Sequence, residues 1–363
     1  MRARPTSVRW SGEAPTPLEV DAPSMKLDNN LRQLADAPEV PLLRLQSLLG
    51  LSSPAYGLLV GAVSMAFLLI PFLVYDLAPA AQRDIFGSAL FFSSSYAILA
   101  GFTSPVVRGA AADLDALGPV LPVSEDDRRI MARGLSRLPT PALLRELALG
   151  LVTGSIHCYL LGHLQLPWVL MLGQIVATVL LWVLMFLTIP KLVTNALLFS
   201  RLGRCAEPDL LRPGRHAAFG SAALRPALFL IGTLCAYVVL FLENGSSLEP
   251  TTLIGALVSL PTLLGIIALP LRGIRQRIRE ARMDSLAALD QRLESMATAP
   301  LATLSTSTLQ DMDILLDMRE RVAQAPGWPL DFAGVRRILL YIVLPPLTWV
   351  AAAVVEMVVD ALV

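Results

Sequence analysis

Six apolar runs without a single Asp, Glu, Lys or Arg constrain this chain more than any other feature: 56–75, 85–107, 147–164, 167–189, 226–242 and 252–271. The bilayer's hydrocarbon core is about 30 Å thick and a helix rises about 1.5 Å per residue, so about 20 apolar residues cross it. A helix satisfies its own backbone polar groups, which an isolated strand or loop in lipid does not. The predicted fold class is therefore all-α, a polytopic transmembrane helical bundle with six spans. A seventh run, 338–359, contains Pro345-Pro346. Proline removes a backbone donor and clashes with the preceding turn, so this segment is predicted to be kinked and packed against the bundle.

Composition supports that reading. Apolar residues make up 55% of the chain and charged residues 16%, against about 45–50% and about 25% in soluble domains. The 29 basic and 29 acidic residues cancel, which leaves no global field for nucleic acid. No apolar stretch of signal-peptide length lies within the first 30 residues, so the first run is predicted to remain as an uncleaved anchor.

Orientation follows from the basic residues. With these spans, all of the 29 except Arg83 fall on one side: in 1–55, in 108–145, between the fourth and fifth runs, and between the sixth and seventh. Lys and Arg accumulate in cytoplasmic loops, so the N-terminus is predicted to be cytoplasmic and the protein to reside in a bacterial inner (plasma) membrane. The predicted organisation has four parts: a polar, partly disordered cytoplasmic segment, 1–55; a membrane bundle, 56–271, with an amphipathic cytoplasmic loop, 108–145; a cytoplasmic helical hairpin, 272–336; and a kinked membrane segment, 337–363.

The loop 108–145 is expected to form two short amphipathic helices, the second starting at Ser124, whose hydroxyl and following acids suit a helix N-terminus. In the hairpin, Ile274, Ile278, Ala281, Leu286, Leu289, Leu293 and Met296 make one approximate apolar stripe. Leu304, Thr308, Met312, Leu315, Met318 and Val322 make another after Pro300. Leu286, Leu289 and Leu293 are candidate contacts for a second copy or a cytoplasmic protein partner. Arg275, Arg277 and Arg279, beside the membrane surface, are candidate contacts for anionic lipid.

Leu114-Asp115-Ala116-Leu117-Gly118-Pro119-Val120-Leu121 and the later Leu135-Ser136-Arg137-Leu138-Pro139 resemble a family of uncharacterised bacterial multi-pass membrane proteins. So do Asp209-Leu210-Leu211-Arg212-Pro213-Gly214-Arg215, the basic helix from Arg272, and Trp328-Pro329-Leu330-Asp331. The resemblance runs from about residue 56 to the end. It implies an architecture, with no assigned activity and no functional residues.

Chemistry-bearing motifs are sparse. Cys158, Cys205 and Cys235 are widely separated and read as inert thiols, and no Cys/His spacing suits a metal. Phosphate-binding G-x-x-x-x-G-K-[ST], the nucleophile motif G-x-S-x-G and H-E-x-x-H are absent from the sequence. Ser93, Ser94, Ser95, His157 and Gln174 form a candidate intramembrane polar cluster, for which helix–helix hydrogen bonding is the plainer role. These observations predict no cofactor and no enzyme. The expected function is a non-enzymatic integral membrane scaffold, sensing or partner-binding subunit acting through cytoplasmic helices. The alternative is a channel or transporter for a small solute or ion.

Overall fold

The structure, a computed structural model, describes residues 34–236, 250–297, 306–327 and 340. It is all-helical, with no strands among these residues. The helices are α1 (Pro41–Leu49), α2 (Ser53–Leu68), α3 (Pro71–Val74), α4 (Pro79–Ala116), α5 (Glu125–Gly134), α6 (Thr140–Leu160), α7 (Trp168–Cys205), α8 (Ala217–Ala236), α9 (Pro250–Ala297) and α10 (Thr306–Gln324). The stretch α2–α3 packs on α4, α4 on α8, α8 on α9, α9 on α7, and α7 on α6. Four long helices thus form a central bundle with α2 and α6 on its flanks.

Among the described residues, four helices are long and apolar enough to cross a bilayer: Ser53–Val74, Ala81–Ala116, Trp168–Cys205 and Pro213–Ala236. The six predicted spans are therefore not all found. For the run 147–164, α6 carries Arg145 and Glu146 near its start and stops at Leu160, ahead of Gly162 at φ +69°. It is not one of those four helices. The runs 226–242 and 252–271 extend beyond the residues whose side chains are described, and 338–359, with Pro345-Pro346, lies outside them apart from Leu340.

The helices exceed what a bilayer requires. At about 1.5 Å per residue, the 38 residues of α4 and of α7 reach roughly 57 Å, and the 48 of α9 roughly 72 Å. Two cores fill this length. Leu68, Phe91, Phe92, Tyr96, Leu181, Leu184, Phe229 and Ile266 pack within the apolar part of the bundle. Leu114, Leu117, Met131, Leu135, Phe199, Leu202, Phe219, Leu271 and Ile274 form a second core where the helices carry charge. The first half of the loop 108–145 is consequently not a separate helix: α4 continues to Ala116 and ends in a 3-10 turn at Gly118–Val120, where Gly118-Pro119 first interrupts it. The second half matches expectation, with the Asp127 N–H donating to the Ser124 hydroxyl at 3.1 Å.

Outward faces of the apolar helices are themselves apolar. Leu58, Val63 and Leu73 on α2–α3, Leu151, Val152 and Ile156 on α6, and Leu172 on α7 are exposed. A soluble protein seldom shows so large an apolar surface. Inward, small residues bring backbones together: Gly57 and Gly61 of α2 lie on Ala97 and Gly101 of α4, and Gly150 and Gly154 of α6 on Val183 and Val179 of α7. Such small-x-x-x-small pairs allow the close packing that drives helix association in lipid.

Candidate functional site

A cleft of about 620 Å³ lies at the charged end, a volume within the range of ligand sites. One wall is the hairpin formed by α9 and α10, and the other is the segment 207–215 with the turn at Pro119 and Val120. Its geometry follows from where α9's apolar stripe is spent. Ile274 and Ile278 are buried in the second core, so the basal part of the stripe is used by the bundle itself. Past that point the helix projects, and Ser285, Leu289 and Arg292 face the cleft. Leu315, Met318 and Val322 of α10 complete the wall.

The opposite wall is held by backbone bonds. The Glu207 N–H donates to Val120 O at 2.9 Å, and the Arg212 N–H donates to the Asp209 carboxylate at 3.0 Å. His216 is buried and its Nε2 lies 3.2 Å from Glu207 O, which makes it a structural tether of this segment. Asp209 also pairs with Arg215 at 3.2 Å. The cleft therefore has an apolar floor from the hairpin and a charged rim of Glu207, Asp209, Arg215 and Arg292. Across the hairpin, Arg319 Nε donates to Asp290 at 2.5 Å. That hydrogen bond, and then the charge, hold the Arg319 guanidinium above its ordinary range.

The three candidate partner leucines sit together on α9's distal half: Leu289 is buried on the cleft wall, and Leu286 and Leu293 are half-buried. Further apolar side chains on the hairpin face outward, with Ile314 63% and Leu316 50% exposed, alongside Met283 and Leu309. Of the candidate lipid contacts, Arg275 and Arg279 are exposed, and the half-buried Arg277 lies 3.6 Å from Glu280.

The intramembrane polar residues do not meet in one place. Ser93 donates to Met65 Sδ at 3.7 Å across α2–α4, and Ser94 to Phe91 O within its own helix at 3.0 Å. Ser95 is buried with no partner among the described residues. His157 Nδ1 accepts from Trp182 Nε1 at 2.8 Å across α6–α7, and Gln174 donates to Ser88 at 2.6 Å across α7–α4. The bonds of Ser93, His157 and Gln174 each close a different helix contact.

Two charged groups carry more structure than their place in the sequence suggests. Lys191, buried in α7, donates to Gly134 O at 2.7 Å and Arg137 O at 2.8 Å, and Asn195 adds a bond to Leu135 O at 3.3 Å. The cation thus covers the C-terminal carbonyls of α5, where the helix dipole favours it. Buried Asp113 of α4 is bridged by Arg225 of α8, whose side chain crosses Gly109. For Lys191 the signal was available as a single charge just past an apolar run, whereas Asp113 is one of several charges after 85–107, and the partners of both are dozens of residues away. The cavity beside Lys191 holds about 20 Å³, room for one water.

Among the described residues, the fold and the site define an all-helical architecture with four helices able to cross a bilayer and a helical hairpin beside a cleft at the charged end. Comparison with protein-family models, curated proteins and solved structures finds no match to the chain.

Proposed function

We propose that this chain is a non-enzymatic integral membrane scaffold, sensing or partner-binding subunit that acts through its α9–α10 hairpin. The reading places it as a multi-pass protein of a bacterial inner membrane, N-terminus in the cytoplasm, with six spans and a kinked seventh segment. The observation that carries it is the apolar surface on the hairpin, Ile314 and Leu316 outside and Leu289 on the cleft wall, in a part of the chain outside the apolar bundle core. Exposed apolar side chains on a projecting amphipathic helix are how helix-in-groove partners are read. Arg275, Arg277 and Arg279 hold the base of the hairpin against the anionic leaflet, each worth about 1 kcal/mol near the surface.

The test compares the purified wild type with the triple variant Leu286→Ser, Leu289→Ser, Leu293→Ser by native mass spectrometry and by site-specific photocrosslinking from position 316. Loss of the oligomer or of a defined crosslinked partner, with the helical content retained, is the expected outcome. An unchanged oligomeric state and crosslinking pattern would make the hairpin a self-contained structural element. Saturable solute flux through reconstituted liposomes would replace the scaffold reading with the transporter one.

A further inference from the structure

A second cleft, of about 610 Å³, lies between α1, the C-terminal third of α4 and the end of α5. We propose that it binds the headgroup of a monoanionic phospholipid, with α1 lying in the same leaflet.

The level of the cleft is set by the chain itself. Ser53, the first residue of α2, has its carbonyl 3.3 Å from where a Cβ on Gly101 of α4 would lie. Both helices enter their charge-free runs beside this point, and Arg108 is the first charge on α4 after the run 85–107. The cleft is thus at the boundary between hydrocarbon and headgroups, where a phosphodiester resides.

Helix α1 has the form of an interfacial helix. Gly50, at φ +64°, ends it, and Gln46 Nε2 donates to Leu51 O and Ser53 Oγ, both at 3.1 Å, fastening it to the start of the span. With Gln46 buried on the protein side, Leu45, Leu48 and Leu49 are left exposed, Leu48 by 75%. Arg44 is exposed one turn before Leu48 on the same flank, where its long side chain reaches from the apolar stem to the headgroup level. A short helix with exposed leucines and one snorkelling cation lies in the membrane plane with its leucines in the acyl region.

The lining supplies the headgroup chemistry. Arg108 and Arg133 stand on the rim as exposed guanidinium groups, and Ser104 and Ser136 bring hydroxyls. Arginine matches phosphate oxygens through its planar fork of donors. Glu39 also lines the cleft, so the ionic balance is two cations to one anion. That net charge neutralises a single phosphodiester carrying an uncharged, hydroxyl-bearing headgroup. A zwitterionic headgroup would leave the site charged, and the Glu39 carboxylate and Gln46 side chain suit a hydroxyl.

The test uses the full chain in delipidating detergent, titrated with phosphatidylglycerol or phosphatidylcholine and read by native mass spectrometry. Peptide mapping after photocrosslinking with a headgroup-labelled phosphatidylglycerol locates the lipid. Expected are retained phosphatidylglycerol, weak phosphatidylcholine binding, and crosslinks to 39–51, 104–111 or 132–136. Arg108→Gln with Arg133→Gln should weaken phosphatidylglycerol binding about 30-fold, while Arg321→Gln on α10 should leave it unchanged. If the double variant does not fold, each single substitution should lower affinity about fivefold. Equal retention of both lipids, wild-type affinity in the arginine variants, or crosslinks confined elsewhere would overturn the assignment. Soluble glycerol phosphate separates the two sources of phosphate: no competition at millimolar concentration supports the lipid, and full displacement shows a site for a free anion instead.

Discussion

Gly273 is where the packing of this bundle is most exposed to a test. It faces α7 so closely that a Cβ built on it would lie 1.8 Å from Ser200 O and 3.1 Å from Arg204 N, both backbone atoms. Real Cβ contacts do not fall below 3.0 Å, so Gly273→Ala has to move α9 and α7 apart by about 1.2 Å. A radial gap of 0.5–1 Å already forfeits about a quarter to a half of each dispersion contact. The contacts at stake are those of Ile274, Leu271, Phe199 and Leu202 in the core at the charged end. Overpacking of this kind costs about 1–3 kcal/mol. Against it stands a gain of about 0.5–1 kcal/mol from replacing a mid-helix glycine by alanine. A net loss of about 1–2 kcal/mol is expected. Gly265, on the same helix, has nothing within 4 Å of its Cβ position, so Gly265→Ala keeps the gain without the clash. Thermal unfolding of the two variants in one detergent should therefore place Gly273→Ala below the wild type and Gly265→Ala at or above it, about 5 °C or more apart. Equal melting temperatures would refute the claim that α7 and α9 meet backbone to backbone.

Three other outcomes are expected. Lys191→Met leaves the carbonyls of Gly134 and Arg137 without their donor, costing about 1–3 kcal/mol for each buried group. Hydrogen exchange should show α5 opening first, and unchanged protection there would count against the cap. Asp113→Asn or Arg225→Gln alone should destabilise the α4–α8 contact by up to about 3 kcal/mol, since Arg225 is 37% exposed and its charge is partly solvated. The apolar pair Asp113→Leu with Arg225→Met should recover most of that in thermal denaturation, and additive losses would argue against a direct pair. Cysteines introduced at 120 and 290 should label from the same side of the membrane as one at 44, because basic residues set orientation. Labelling from opposite sides would overturn the orientation derived from the basic residues.

The apolar runs and their turn residues were sufficient, without coordinates, for the all-helical architecture of the described residues and for helices able to cross a membrane, because a bilayer tolerates little else. Local signals were equally legible: Ser124 caps α5, and Ile274, Ile278 and Leu289 of α9's apolar stripe are buried. The ends of helices were not legible in the same way. Nothing local distinguishes a span that stops at the membrane surface from one that continues, and α4, α7 and α9 continue because Leu114, Phe199 and Ile274 find one another beyond the apolar zone. Pro190 and Pro270 mark possible breaks in the sequence, yet α7 and α9 run through them. Neighbouring helices hold the chain in helical geometry there, which outweighs the lost bond. The polar residues show the same division. Ser93, His157 and Gln174 are evident as polar groups in apolar runs, but only the packing of α2, α4, α6 and α7 decides that each bonds across a different interface. Lys191 and Asp113 have roles set by partners 57 and 112 residues away in sequence. Composition and periodicity report on what a segment can bury, whereas the identity of the partner is a property of three-dimensional packing alone.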